Sequence, residues 1–212
     1  MRKEVSFTVR DIRAFKDSLL LWAQRFTEIT WLDSNLHADP YGSFDALLAV
    51  GALTSIRMGS QGAFQSLRQY HEQTRDWLFG YLSYDLKNDV ERLRSENPDK
   101  LEFPDLFFFQ PKKMIRIRGN QVDFMYQKHY SDEIESDFEY ISKGITGKGI
   151  STYGEPDIRI HMGIFKDQYF EKVRQMKHHI HRGDIYEANF CQEFYATNTQ
   201  IDPFRTYKKL NK

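Results

Sequence analysis

The chain has 212 residues, 40% hydrophobic and 15% aromatic, enough to close a core as one large domain or two small ones. Thirty Lys and Arg balance thirty Asp and Glu, so no excess positive charge argues for a nucleic-acid or anionic-membrane partner, and a small molecule or a protein is expected instead. The single cysteine, Cys191, excludes an internal disulfide, and the longest early apolar run, Leu19 to Ala23, is too short for a secretory segment or a membrane span, so the chain reads as soluble and cytoplasmic.

In chain order, EVSFTV alternates Val5, Phe7 and Val9, the period-two mark of a half-buried strand. A helix follows from Asp11 as N-cap, with Ile12, Phe15, Leu19, Trp22 and Phe26 in one apolar stripe. EITWLDS reads as a second strand, HADPYGS as a polar turn, and Phe44 to Leu53 as a third strand ending at a glycine-containing connection. FQSLRQYHEQTRDW has helical spacing, and Trp77 to Leu86 reads as a buried strand entering a turn. KNDVERLRSENPDKL is charged and belongs on the surface. After FPDLFFF, two alternating segments flank Gly119-Asn120, a hairpin signal.

A helix from Ser131 is marked by Ile134, Phe138 and Ile141, with Gly144 as its stop. GITGKGISTYGEPD is a loop. Its GITGKG lacks the glycine spacing of a phosphate-binding loop and the Ser or Thr directly after the lysine, and is rejected as one. The last third reads as a strand (IRIHMGIF), a helix from Asp167 to Arg182, Gly183 as its C-cap, a strand, and a short helix opened by Asp202-Pro203. Antiparallel hairpins mixed with helices indicate an α+β fold.

DIYEANFCQEFYA is read as that last strand, with Tyr186, Ala188, Phe190 and Phe194 on a core face and Ile185, Glu187, Asn189, Cys191 and Glu193 on the other. A solvated sheet face accounts for the polar side; so does a cleft.

The stretch after IHRGD resembles the segment of chorismate-utilising enzymes that usually reads GDI(F or Y)QVNL(S or A)QRF. Gly183, Asp184, Tyr186, Asn189, Gln192 and Phe194 match, while Glu187, Cys191 and Glu193 depart from it. FGYLSYDL is similar to the family's GYLGYDLGR, with Lys87-Asn88 in place of Gly-Arg, and Trp31 to Val50 resembles its early strand, loop and strand. On these three stretches the chain is identified as a member of that family, most similar to para-aminobenzoate synthase component I, with Asn189 leaning away from anthranilate synthase component I; isochorismate synthase is a further sister.

The resemblance implies antiparallel sheets packed as a sandwich with helices outside, incomplete in this chain. Residues 1–160 would be an N-terminal subdomain and residues 161–212 the start of the chorismate-binding core. It implies amination of chorismate to 4-amino-4-deoxychorismate, with ammonia from a glutamine amidotransferase partner and Mg2+ as cofactor. The family's catalytic and magnesium-holding motifs have no counterpart in these residues and are expected beyond Lys212, leaving this portion inactive alone. The alternatives are anthranilate synthase component I, and a tryptophan- or partner-binding module without activity.

The resemblance also carries over a pocket for tryptophan or a similar ligand. Ser34 matches its serine, and Tyr41, Gly42, Ser43 and Phe44 match the loop that closes over the ligand. A hydroxyl and backbone groups would hold the amino-acid head while Tyr41 and Phe44 wall the indole; a plain turn would look the same in sequence. Glu187 and Asn189 are candidate cleft-lining residues. His178 and His181 lack a third metal ligand at suitable spacing and are read as a solvated helix end. Cys191 is read as a small packing residue.

Overall fold

The computed structural model describes residues 1–35, 37, 41–94, 96, 98–145 and 158–211. The GITGKGISTYGEPD loop beyond Ile145 and the middle of the HADPYGS turn lie outside these. The chain divides into two compact units, Met1–Ile150 and Ser151–Lys212.

In the first unit, β1 (Arg2–Thr8) leads into α1 (Ile12–Ala23), which starts as expected where the Asp11 carboxylate accepts from the Ala14 amide at 3.0 Å. β2 (Ile29–Asp33) and β3 (Ala46–Met58) follow, then α2 (Ala63–Thr74), β4 (Phe79–Leu82) and the short α3 (Lys87–Val90). β5 (Leu106–Arg118) and β6 (Gln121–Gln127) form the expected hairpin about Gly119-Asn120, and α4 (Ile134–Ser142) follows a 3-10 segment. The strands make one antiparallel sheet in the order β1-β6-β5-β3-β2, with β4 added beside β5.

β3 runs five residues past the expected Leu53, because Gly51 does not end it. Gly51 instead takes φ +68, and the β3–β5 register shifts between Ala52 and Thr54. This β-bulge bends the strand and lets pairing with β5 resume beyond it. Pro111 stands opposite Ala52 at that point, where a missing amide costs least.

Alternation then sorts the apolar residues into faces. Ala46, Leu48 and Val50 of β3, Ile115 and Ile117 of β5, and Val122, Phe124 and Tyr126 of β6 bury against Phe15, Leu19, Trp22 and Ala23 of α1 and Ile134 and Ile141 of α4. Leu47, Ala49 and Met114 point to the opposite face, where they join Phe79, Phe109 and Met125. Beyond the bulge, α2 brings Ala63 and Leu67 onto Ile56, Met58, Leu106 and Phe108.

One charge sits deep in the helix-side core. The Lys113 side chain is only 6% exposed, and its Nζ lies 2.6 Å from Glu133 and 2.5 Å from Asp137. Asp137 also accepts from the Tyr126 hydroxyl at 3.0 Å and from Trp22 Nε1 at 3.3 Å. Burial and the neighbouring Asp137 push the Tyr126 hydroxyl far above its usual range, so it stays a donor. α4 is thereby pinned to the sheet and to α1 by one carboxylate.

One expectation in this unit is corrected. Trp77 to Leu86 is not a buried strand: β4 has four residues, of which only Phe79 is buried, because the strand is paired with β5 alone and Gly80–Leu82 are exposed. The charged run after it lies at the surface, as expected, and from there Asp89 of α3 accepts from the Gly62 and Phe64 amides at 2.7 and 3.2 Å, capping α2 from outside that helix.

The second unit holds β7 (His161–Met162), α5 (Lys166–Arg182), β8 (Phe194–Tyr195) and α6 (Pro203–Leu210). α5 stops at Gly183, φ +84, and α6 starts at Asp202, whose carboxylate accepts from the Arg205 amide, both as expected. The strand expected through DIYEANFCQEF is not formed: only Phe194 and Tyr195 pair, opposite Met162 and His161. The expected strand IRIHMGIF is likewise reduced to His161–Met162. Tyr186, expected in the core, is 93% exposed. A period-two pattern gains burial only when neighbouring strands cover one face, and the partner here supplies two residues.

The class is α+β, as expected. Of the expected sandwich, the described residues contain one six-stranded sheet in the first unit and a two-stranded ladder in the second.

Two substitutions test this core. Asp137→Ala leaves the buried Lys113 with Glu133 alone and takes the acceptor from Tyr126 and Trp22, and should cost about 3 kcal/mol in urea unfolding; an unchanged midpoint would show that the cluster does not hold α4. Gly80→Ala places a Cβ 1.8 Å from the Phe107 carbonyl oxygen, so circular dichroism should report loss of the native transition.

Candidate functional site

The sheet face opposite α1 and α4 combines an apolar cluster with a buried ionic one. Its cross-strand neighbours follow from the register. One row runs Leu32, Leu47, Arg116, Asp123, Ser6, and the next runs Thr30, Ala49, Met114, Met125, Glu4. The first turns from apolar to ionic halfway across; the second stays apolar until the β1 edge.

At the ionic end the Asp123 side chain is 0% exposed, yet it is charged. Burial alone would raise its pKa, but hydrogen bonds from Ser6, Gln121 and Arg116, together with the Arg116 charge, outweigh that and lower it to about 2. Ser6 Oγ donates at 2.7 Å, Arg116 at 2.9 Å and Arg118 at 2.8 Å. Arg116 also reaches Glu4 at 2.9 Å.

A second carboxylate, Asp76, sits ahead of β4. Arg2 holds it with two hydrogen bonds at 3.0 and 2.8 Å, and Gln110 and Gln127 add one each. Burial works against its ionisation, but the bonds from Arg2 and Gln110 prevail and its pKa is lowered. Asp76 thus ties the entry to β4 onto β1, β5 and β6, holding Phe79 over the apolar half of the face.

The expected pocket residues border that apolar half. Phe44 packs against the cluster of Leu47, Ala49, Phe79, Phe109, Met114 and Met125. Ser34 is half-buried at the end of β2, and its amide donates to the Asp45 carbonyl at 2.9 Å. Gly42, Ser43 and Tyr41 are exposed, Tyr41 at 95%.

Both ends of this loop are braced. The Asp33 carboxylate accepts from Lys16 Nζ of α1 at 2.9 Å and from the Asn35 amide at 3.0 Å. The Asp45 carboxylate accepts from the Gly119 amide at 2.6 Å, and its own amide donates to Ile117 at 2.8 Å.

Arg116, Asp123 and Asp45 were not singled out by sequence reasoning. The signal was present: a two-residue turn at Gly119-Asn120 sets Arg118 opposite Gln121 and Arg116 opposite Asp123. Asp76, by contrast, gathers Arg2, Gln110 and Gln127 from three separate stretches, which no local pattern announces.

In the second unit Glu187 and Asn189 are exposed and lie outside any strand, so the alternation that selected them is absent. Gln192, which matches the resemblance, donates to the Ile164 carbonyl at 2.8 Å and helps close the β7–β8 ladder. Cys191, expected to pack, is an exposed free thiol, since the strand that would have covered it does not form. His179 Nδ1 sits 2.7 Å from Asp184, and His181 Nδ1 2.6 Å from the Lys177 carbonyl. Both are helix-end contacts at the negative pole of α5. Among the described residues no group of three or more His, Cys, Asp or Glu could hold a metal ion, and no helix is long and apolar enough to cross a membrane.

The family model described as chorismate binding enzyme matches residues 36–212. An anthranilate synthase component I-like protein of Synechocystis sp. is 27% identical over 135 residues, covering 63% of this chain and 27% of that relative. Anthranilate synthase component 1 of Thermus thermophilus is 27% identical over 138 residues, covering 63% of this chain and 30% of the relative. The chain therefore spans less than a third of the length of these curated relatives. The menaquinone-specific isochorismate synthase MenF of Escherichia coli superposes with a TM-score of 0.41 at 14% identity, covering 89% of this chain and 38% of the other.

The depressed Asp123 pKa has a definite sign. A carboxylate whose folded pKa lies below its unfolded value of 3.8 adds stability above that value and loses it as pH falls toward about 2. Urea midpoints of Asp123→Asn should accordingly fall below wild type at pH 6 and converge with it between pH about 4 and 2. Parallel pH profiles would contradict this.

Proposed function

Because the chain belongs to the chorismate binding enzyme family, we propose that it forms the amino-terminal part of a chorismate-aminating enzyme of the para-aminobenzoate synthase component I type. The reaction would replace the ring hydroxyl of chorismate with an amino group, giving 4-amino-4-deoxychorismate. The observation carrying this reading is the segment from Gly183 to Phe194, which keeps the family's Gly, Asp, aromatic, Asn, Gln and Phe in order and has asparagine at position 189. In this proposal ammonia comes from a glutamine amidotransferase partner. Mg2+, and the acid and nucleophile of the reaction, are in this proposal supplied by residues other than the described ones.

The Ser34 to Phe44 region is proposed to bind tryptophan or a similar aromatic amino acid, with Phe44 already seated on the apolar cluster as one wall. A second reading has an observation of its own. Both curated relatives carry the name of anthranilate synthase component I, which favours anthranilate and pyruvate as products. A module that binds without turnover is the third.

Product analysis separates them. The gene product carrying this chain is incubated with chorismate, magnesium and ammonia, and the products are identified by chromatography and mass. Aminodeoxychorismate with its pyruvyl group retained is expected. Anthranilate with free pyruvate would select the second reading, and tryptophan binding with no turnover the third. The 212-residue chain alone is expected to consume no chorismate.

A further inference from the structure

We propose that Asp45 is the positioning residue of the Ser34 to Phe44 ligand site: it brackets the walls of the site against the β5–β6 hairpin turn. This inference rests on the reading of that region as an aromatic amino-acid site. Three contacts converge on Asp45. Its carboxylate takes the Gly119 amide at 2.6 Å, its amide donates to the Ile117 carbonyl at 2.8 Å, and its carbonyl accepts from the Ser34 amide at 2.9 Å.

Each contact fixes a different part of the site. The bond to Ser34 sets the residue on β2 that would meet the polar head of a ligand. The bond to Ile117 fixes where β3 begins and so places Phe44, the next residue back, against Leu47 and Ala49. The bond to Gly119 anchors both to a turn whose glycine has φ +55 and open space around it. That last bond links the loop's β3 end to the hairpin through a side chain, and it is made by an exposed residue. Asp45 buries no apolar group, so its removal should disturb geometry more than stability.

The chemistry selects the residue type. A short carboxylate just ahead of a strand can accept from a turn amide while its backbone leads the strand into register; alanine offers no acceptor, and asparagine keeps one without the charge.

The test is isothermal titration of the chain with L-tryptophan, well below the thermal midpoints of all variants. Asp45→Ala should weaken binding about tenfold, the equivalent of one lost hydrogen bond to a charged group, with the melting temperature little changed. Asp45→Asn should recover binding to within about threefold of wild type, because its amide oxygen still accepts from Gly119. A purely structural role would lower the melting temperature and leave the dissociation constant unmoved, and that pattern overturns the proposal. Equal losses in the Ala and Asn variants also overturn it. Should Asp45→Ala not fold, Asp45→Ser takes its place, its hydroxyl being one bond short of the Gly119 amide. If wild type binds and the Ala variant binds equally well, this inference fails while the site stands. If wild type takes up no tryptophan, the site reading itself falls, and the bracket with it.

Discussion

Pairing between β3 and β5 is the constraint on which the first unit depends. Each strand has thirteen residues, and every buried cluster in the unit draws on one or both of them. A flat pair of that length would expose one face to solvent along its whole run. The bulge beyond Gly51 bends it, so that Phe79 and Phe109 close over Leu47 and Ala49 on one side while α2 covers the far end on the other. Phe26 lies 3.2 Å from the place a Cβ would occupy on Gly51, so the bend leaves that position little room for anything larger.

β5 also distributes the buried charge. Lys113 points toward the helices and meets Asp137, whereas Arg116, on the opposite parity, meets Asp123 on the other face. A slip of one residue would exchange these two environments and leave both carboxylates without their cations. The ionic pairs therefore specify register more than they add net stability, since the desolvation of each group offsets much of its attraction.

The first unit was largely legible because its signals are local. Asp11 caps α1 where the sequence places the cap, and Gly119-Asn120 turns the hairpin where the sequence places the turn. The extension of β3 to Met58 was missed because a glycine in a strand reads as an end, and only the partner strand reveals it as a bulge. The second unit was read correctly at its helix ends, at Gly183 and Asp202, which depend on a few adjacent residues. It was misread in DIYEANFCQEF, where strand formation depends on neighbours that the alternation itself does not contain. Of the site residues, Phe44 packs against an apolar cluster of the sheet, and Glu187 and Asn189 are not on a strand at all. The carboxylates that organise the site came from pairing across the hairpin, information the sequence holds only once a register is assumed.

The position of β1 in the sheet carries a consequence for how the chain is made. β1 pairs along its length with β6, and Arg2 reaches the Met125 carbonyl 123 positions further on. At about 5–20 residues per second, a ribosome needs roughly 6 to 25 seconds to supply that partner. Until then Val5 and Phe7 have no sheet to join, while the β2–β3 hairpin is already complete. The first strand thus stays unclaimed until β6 is made, and a pairing of such long sequence separation closes late in refolding as well.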